Sequence, residues 1–202
     1  MDVIENLIPV SLQNQIEQTL NSDSFPWFFM DSITSYQDEQ TILDTPRWDK
    51  SKVIEPPGLV HMISYDGKVN SNYYELCRTI LYFLEHRLNV SVKEILRIRI
   101  RRTLQTPGMT EDMYNIPHVD VMMDRKFYTL VYYVEESDGD TIFFDQIYQR
   151  GSRASLKEEL KVVSKIPHKK GNAVLFEGHR FHAGNCPMKY TKRTIINFDF
   201  II

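Results

Sequence analysis

The chain reads as a mainly β protein, an antiparallel sandwich or barrel with helices packed on one side. Strand signals recur at short intervals through its second half, at Phe127–Val134, Thr141–Phe144, Leu160–Ile166, Ala173–Phe176, Phe181–Ala183 and Thr194–Ile202. Turn residues separate them, notably Asp138-Gly139-Asp140, Lys170-Gly171-Asn172 and Gly184-Asn185. Many short strands at that spacing point away from a βαβ fold. A helical period is clear only ahead of these strands, so the helices stand to one side of them.

Composition sets the outer limits. With 202 residues, 42% of them hydrophobic and 25% charged, the chain can bury a sizeable core and is not disordered. A net charge of −3 supplies no global attraction to nucleic acid. The two cysteines, Cys77 and Cys186, suggest neither a disulfide framework nor a CxxC metal site. The first residues, MDVIENLIPV, carry acids where a signal peptide carries bases, and no apolar run approaches membrane length. A cytoplasmic protein is expected. It is read as one domain over 1–202, with 1–93 a helical and irregular support and 94–202 a core that carries the site.

Taken in order, the chain opens with a short helix, Leu12–Leu20, for which Ser11 is the expected cap. Phe25-Pro26-Trp27-Phe28-Phe29 is read as packing material, because aromatic clusters dominate burial. Residues 31–70 read as irregular, with Pro46, Pro56-Pro57-Gly58 and Asp66-Gly67 as turn signals. The clearest helix is 72–88, where Tyr73, Leu76, Cys77, Ile80, Leu81, Leu84 and Leu88 form one stripe that needs a sheet to cover it. Each large apolar side chain buried there is worth roughly 1.5–3 kcal/mol.

From residue 94 the period changes to two. Leu96, Ile98 and Ile100 alternate with Arg97, Arg99 and Arg101, a strand with one apolar and one basic face. The apolar face is assigned to the core and the basic face to solvent. The competing reading is that the arginines rim a cavity and bind an anionic substrate or cofactor. Residues 104–117 form a loop long enough to act as a lid. Further on, Gln146–Glu159 interrupts the strand series.

That loop leads into His118-Val119-Asp120. On an extended segment, side chains at i and i+2 share a face, so an imidazole and a carboxylate project together. A second imidazole from Glu177-Gly178-His179-Arg180-Phe181-His182 would complete two histidines and one carboxylate, a set that suits non-haem Fe(II) and leaves coordination positions open. His61, His86 and His168 lack companions at useful spacing and are read as surface or structural residues.

Residues 94–202 resemble the iron(II)- and 2-oxoglutarate-dependent oxygenases, particularly the small prolyl 4-hydroxylase-like members of bacteria and phages. The resemblance rests on His118-Val119-Asp120, the run Thr129–Val134, Gly139–Phe144, Lys170–Phe176, His182-Ala183-Gly184 and Arg193. It implies a double-stranded β-helix, or jelly-roll, core. It also implies a dioxygenase using Fe(II), O2 and the co-substrate 2-oxoglutarate, which is released as succinate and CO2. The oxidised substrate would be a peptidyl proline, another side chain or a small molecule.

The resemblance assigns His118, Asp120 and His182 to iron. His182 is preferred to His179 because Phe181–Ala183 reads as extended, small residues follow it, and its distance to Arg193 suits the family. Arg193 matches the residue that clamps the far carboxylate of 2-oxoglutarate. Tyr133 and Asn197 complete the expected co-substrate set, with Tyr128 or Tyr132 replacing Tyr133 if the register slips by one. Asn197 and Asp199 are expected to look into the barrel, with an Arg193–Asp199 contact, while Thr194, Ile196, Phe198 and Phe200 pack outward on the 72–88 helix. The chain lacks the second arginine of the nucleic-acid-demethylating branch, which counts against a nucleic-acid substrate. The alternatives are a non-catalytic jelly-roll metal-binding module and a zinc hydrolase.

Overall fold

The computed structural model describes residues 1–32, 47–149 and 159–202. Pro46 and most of the Gln146–Glu159 interruption lie outside the described residues.

Strands dominate, and two antiparallel sheets face each other. The elements are β1 (Asp2–Ile4), α1 (Val10–Leu20), β2 (Phe28–Met30), β3 (Gly58–Tyr65), β4 (Lys68–Val69), α2 (Tyr74–Leu88), β5 (Glu94–Leu104), β6 (Tyr128–Tyr133), β7 (Thr141–Ile147), β8 (Val162–Ile166), β9 (Ala173–Glu177), β10 (Arg180–Gly184) and β11 (Lys192–Ile201). Among the described residues the larger sheet runs β1-β9-β6-β11-β5-β3-β2, and the smaller runs β10-β7-β8. The segment at His118 extends the smaller sheet through a bridge to His182 on β10. From β6 onward the chain crosses between the sheets, with β6, β9 and β11 in the larger and β7, β8 and β10 in the smaller. This alternation is the jelly-roll, or double-stranded β-helix, expected from the sequence.

The strand and helix positions agree with the periodicity at most places, and the departures have physical causes. Residues 31–70, read as irregular, contain β3 across from β5; its sequence GLVHMISY buries residues on both faces, so no clean alternation marks it. Helix α1 begins at Val10 behind Pro9 with no side-chain cap, which removes Ser11 from that role. Proline serves there because an N-terminal amide needs no intrahelical partner. Helix α2 ends at Asn89 in the left-handed region (φ 52°), where asparagine is tolerated.

The outer face of the larger sheet holds the main core. Ile98, Ile100, Leu130, Tyr132, Ile196, Phe198 and Phe200 pack there against Cys77, Ile80, Leu81 and Leu84 of α2. Arg102 emerges on this same face and staples α1 to it. It donates to Thr194 at 2.9 Å, to the Leu20 carbonyl at 3.1 Å and to Asn21 at 2.9 Å, and lies 4.3 Å from the Trp27 ring. A second apolar cluster, Val131, Tyr133, Phe143, Val174, Phe176 and Ile195, lies between the two sheets. Both faces of β5, β6 and β11 are therefore buried, and the inner one surrounds the site.

Candidate active site

His118 and His182 are held by backbone before their side chains contribute anything. Each donates its N–H to the other's carbonyl, at 2.9 and 3.0 Å, which sets the two imidazoles side by side with ring centroids 4.7 Å apart. His118 Nδ1 lies 2.9 Å from the Ile116 carbonyl, and His182 Nδ1 lies 3.2 Å from the Arg180 carbonyl. A carbonyl at Nδ1 requires the proton there, leaving the Nε2 lone pair free to face the site. Nε2 of His118 is buried with no hydrogen-bond partner. Burial, with His182 alongside, holds the His118 imidazole well below its ordinary pKa, so it is neutral and able to ligate at neutral pH.

Asp120 completes the group. Its carboxylate is 1% exposed, and the candidate donor atoms of His118, Asp120 and His182 lie within 4.8 Å of one another. Oδ2 sits 3.2 Å from His182 Nε2, and Oδ1 sits 3.7 Å from His118 Nε2. Burial works against the charge, but the Arg97 guanidinium outweighs it and holds the carboxyl well below the usual range. Two imidazoles and one carboxylate on one side of a cavity suit a six-coordinate Fe(II) ion with open positions. The partnerless Nε2 of His118 fits such an ion.

Two further side chains orient that carboxylate. Asn197 Nδ2 donates to Asp120 Oδ2 at 2.6 Å and Arg97 reaches Oδ1 at 2.6 Å, while Arg99 stands off at 3.8 Å, beyond hydrogen-bond distance. Arg97 also binds Asp199, through Nε at 2.9 Å and Nη2 at 2.8 Å, and Thr129 donates to the other oxygen of Asp199 at 2.7 Å. Two sequence expectations are corrected here. The basic face of β5 is not solvated: Arg97 and Arg101 are 7% and 5% exposed and point between the sheets. The partner of Asp199 is Arg97, across the β5–β11 pair, and not Arg193, which lies six residues away along β11.

Arg193 lies on the wall of the same cavity as His118, Asp120 and His182. It is 2% exposed, donates through Nε to the Gly139 carbonyl at 2.6 Å and through Nη2 to Thr141 Oγ1 at 2.9 Å. Those partners are neutral, so they aim the guanidinium without neutralising it. Two glycines make the room: a Cβ on Gly139 would fall 2.4 Å from Arg193 Cδ, and one on Gly184 would fall 3.0 Å from Nη1. Tyr133 donates to the same Thr141 hydroxyl at 2.9 Å and stacks on His168 at 4.4 Å, so it supports Arg193 from behind. Asn197 lines the cavity and touches Asp120, not Arg193.

His179 is directed elsewhere. Its Nε2 lies 2.6 Å from the Met123 carbonyl and its ring packs against Phe127. His61 is buried between the Pro26 carbonyl and Ser71, and His168 is buried beside Tyr133, while His86 lies in the last turn of α2. Phe176 and Phe143 wall the site at 4.9 and 6.3 Å from the His182 ring. Sequence reasoning missed Thr141, and it named Arg97, Arg99 and Arg101 as cavity residues only in its competing reading, which is the one that Arg97 and Arg101 follow. A usable signal was present: Asn197 and Asp199 on the last strand need inward-facing cations, and β5 supplies them.

No family model and no curated protein matches the sequence. Solved structures do match. The non-heme alpha-ketoglutarate-dependent carbocyclase SnoK from nogalamycin biosynthesis aligns with a TM-score of 0.59 at 8% identity, covering 98% of this chain and 78% of its own. The epimerase SnoN, in complex with Fe3+, alpha-ketoglutarate and nogalamycin RO, aligns at 0.55 and 9%, covering 98% and 77%. A Pseudomonas putida prolyl-4-hydroxylase aligns at 0.52 and 10%, covering 98% and 90%. At these identities the likeness is one of fold, and it extends over nearly the whole chain.

Proposed function

We propose that this chain is an Fe(II)- and 2-oxoglutarate-dependent dioxygenase that hydroxylates a peptidyl proline, another side chain or a small molecule. The observation that carries the reading is the meeting of His118, Asp120 and His182 with the buried guanidinium of Arg193, which has no ion pair among the described residues, in one cavity. A metal hydrolase needs the first three but gives no reason for the fourth unless its substrate is anionic. The fold shared with alpha-ketoglutarate-dependent enzymes supports it.

In this reading His118 and His182 bind the metal through Nε2 and Asp120 supplies the anionic ligand. Iron with 2-oxoglutarate and O2 supplies the oxidising equivalent for inserting oxygen into a C–H bond, the co-substrate leaving as succinate and CO2. Arg193 holds the far carboxylate of the co-substrate, where a planar, permanently charged fork gives two parallel hydrogen bonds that lysine does not. Thr141 and Gly139 fix the direction of that fork. Asn197 and Arg97 fix the direction of the Asp120 carboxylate. Val131, Ile195, Phe143 and Phe176 exclude bulk water from the space between the sheets.

Anaerobic titration of the purified chain with Fe(II) and then 2-oxoglutarate tests this directly. The expected result is a visible charge-transfer absorption that needs both additions, followed in air by succinate formation. Arg193→Lys should weaken co-substrate binding by about ten- to a hundredfold while leaving Fe(II) binding intact. A natively folded chain that binds no metal, or binds 2-oxoglutarate equally well without Arg193, overturns the reading. Hydrolysis by the zinc-loaded chain without any 2-oxoglutarate dependence would point to the hydrolase instead.

A further inference from the structure

The inward faces of β5 and β11 carry more positive charge than the site described so far can use. Arg97, Arg99, Arg101 and Arg193 point there, and the carboxylates in contact with them are Asp120 and Asp199. Arg97 takes both carboxylates for itself. Arg99 approaches Asp120 only at 3.8 Å, and its Nε is buried without a partner. Arg101 is 5% exposed, has no ion pair among the described residues, and its Nε is likewise buried and partnerless. Asp140 and Glu135 act through space on Arg193.

Burying a guanidinium without a counter-charge costs several kcal/mol, and clustering like charges adds to it. Burial and the neighbouring guanidiniums disfavour the charge on Arg99 and Arg101, but a guanidinium is not deprotonated in a protein at neutral pH. A divalent metal and a dianionic co-substrate cancel each other, so filling the site as proposed leaves the surplus of two positive charges untouched. The strand register locates that surplus. On β5 and β11, Thr103 pairs Arg193, Arg101 pairs Ile195 and Arg99 pairs Asn197, the residue that holds Asp120. Arg101 therefore lies between the co-substrate end and the metal end. Arg99 is level with the metal ligands and, at 18% side-chain exposure, is the more open of the two.

We propose that Arg99 and Arg101 form a second anion site, distinct from Arg193, which receives a carboxylate or phosphate group of the primary substrate. This rests on the oxygenase reading for the identity of the other ligands. It narrows the substrate to an anionic class and makes Arg99 and Arg101 specificity-determining residues.

The test uses the full chain loaded with Mn(II), which does not turn over, and saturated with 2-oxoglutarate. The probe is inorganic phosphate, followed by calorimetry and by Mn(II)-induced broadening of the phosphorus resonance. Wild-type protein is expected to bind phosphate near the metal. Arg99→Gln and Arg101→Gln should each weaken phosphate about tenfold or more, with the affinity for 2-oxoglutarate changed by less than about twofold. Arg101→Lys, which keeps the charge, should retain most of the binding and guards against a folding defect in Arg101→Gln. Absence of phosphate binding in the wild-type complex overturns the proposal, as does phosphate affinity unchanged in both glutamine variants. If the variants lose 2-oxoglutarate and not phosphate, the arginines serve the co-substrate and the proposal also falls. If the wild type binds no Mn(II), the oxygenase reading fails by itself. Calorimetry of phosphate on the metal-free chain and its variants then decides the anion site alone.

Discussion

Arg97 Nη2 lies 2.6 Å from Asp120 and 2.8 Å from Asp199, so one guanidinium holds together two carboxylates that would otherwise repel across the buried interior. Burial pushes the Asp199 carboxyl up to about 6 despite Arg97, while Asp120 stays well below its usual range. The pair thus divides its roles: Asp120 remains an anion for the site, and Asp199 completes the anchorage of Arg97.

Removing the shared cation should cost more than removing a surface charge. Arg97→Met leaves Asp120 and Asp199 buried without their counter-charge, and breaking a buried pair in this way costs about 3–5 kcal/mol. Urea unfolding of the metal-free chain measures it. A loss under about 1 kcal/mol would mean that the carboxylates find other partners and that the bridge is not what stabilises them.

Asn197 holds the Asp120 oxygen nearest His182. Asn197→Ala should leave the fold intact but weaken metal binding by about 10- to 100-fold, the usual effect of losing a group that orients a ligand. Competition with a metal-indicator dye reports this. An unchanged affinity would remove Asn197 from the positioning role.

The glycines flanking Arg193 should not be equivalent. A methyl on Gly139 meets the Cδ of the arginine stem at 2.4 Å, whereas one on Gly184 meets the far end of the same side chain, with Nη1 at 3.0 Å. Gly139→Ala is expected to cost about 1–3 kcal/mol of stability by overpacking and to displace the guanidinium. Gly184→Ala should cost less. Thermal melts give the first quantity and 2-oxoglutarate affinity the second, and the reverse order would contradict the assigned packing.

Stability should fall in mild acid. Burial, with Arg193 nearby, holds His168 well below its ordinary pKa, so the unfolded chain takes up a proton near pH ~6.5 that the folded chain refuses. The contribution is present above that pH and lost as pH falls below it. His118 adds the same sign in metal-free protein. Asp199, raised to about 6 by burial, acts oppositely below that value, because the folded chain then binds the extra proton. His168→Phe keeps a ring against Tyr133 and should reduce the pH slope of the unfolding free energy by about 1.4 kcal/mol per unit below pH ~6. An unaltered slope would show that His168 does not titrate on unfolding.

The sequence revealed the elements that obey a local rule. Period two marked β5, short strand-forming runs between turn residues marked β6 to β11, period 3.6 marked α2, and the i, i+2 spacing put His118 and Asp120 on one face. His182 was separable from His179 because an extended segment flanked by small residues fits a strand that approaches another backbone. The arginines of β5 were misassigned because alternation tells two faces apart but does not say what lies over each. Helix α2 covers the apolar face, and the second sheet covers the basic one, so neither meets solvent. That fact is a property of chain crossings far from residue 97. The Arg97–Asp199 pair was hidden for the same reason, since it depends on the register between two strands a hundred residues apart. Strand β3 was missed because GLVHMISY does not alternate apolar with polar side chains, so it carries no two-residue period to read.

Strands β5 and β11 carry the greasy packing on one face and the charged chemistry on the other, with a single backbone between them. A slip of one residue in β5 would trade its faces, burying Arg101 against α2 and turning Ile98 and Ile100 toward the metal ligands. The contacts of Ile98, Ile100, Ile196 and Phe198 with α2 therefore act as a ruler, measuring off the chemistry on the opposite side of the sheet. Variation in that outer packing is a means of retuning the site without touching any residue in it.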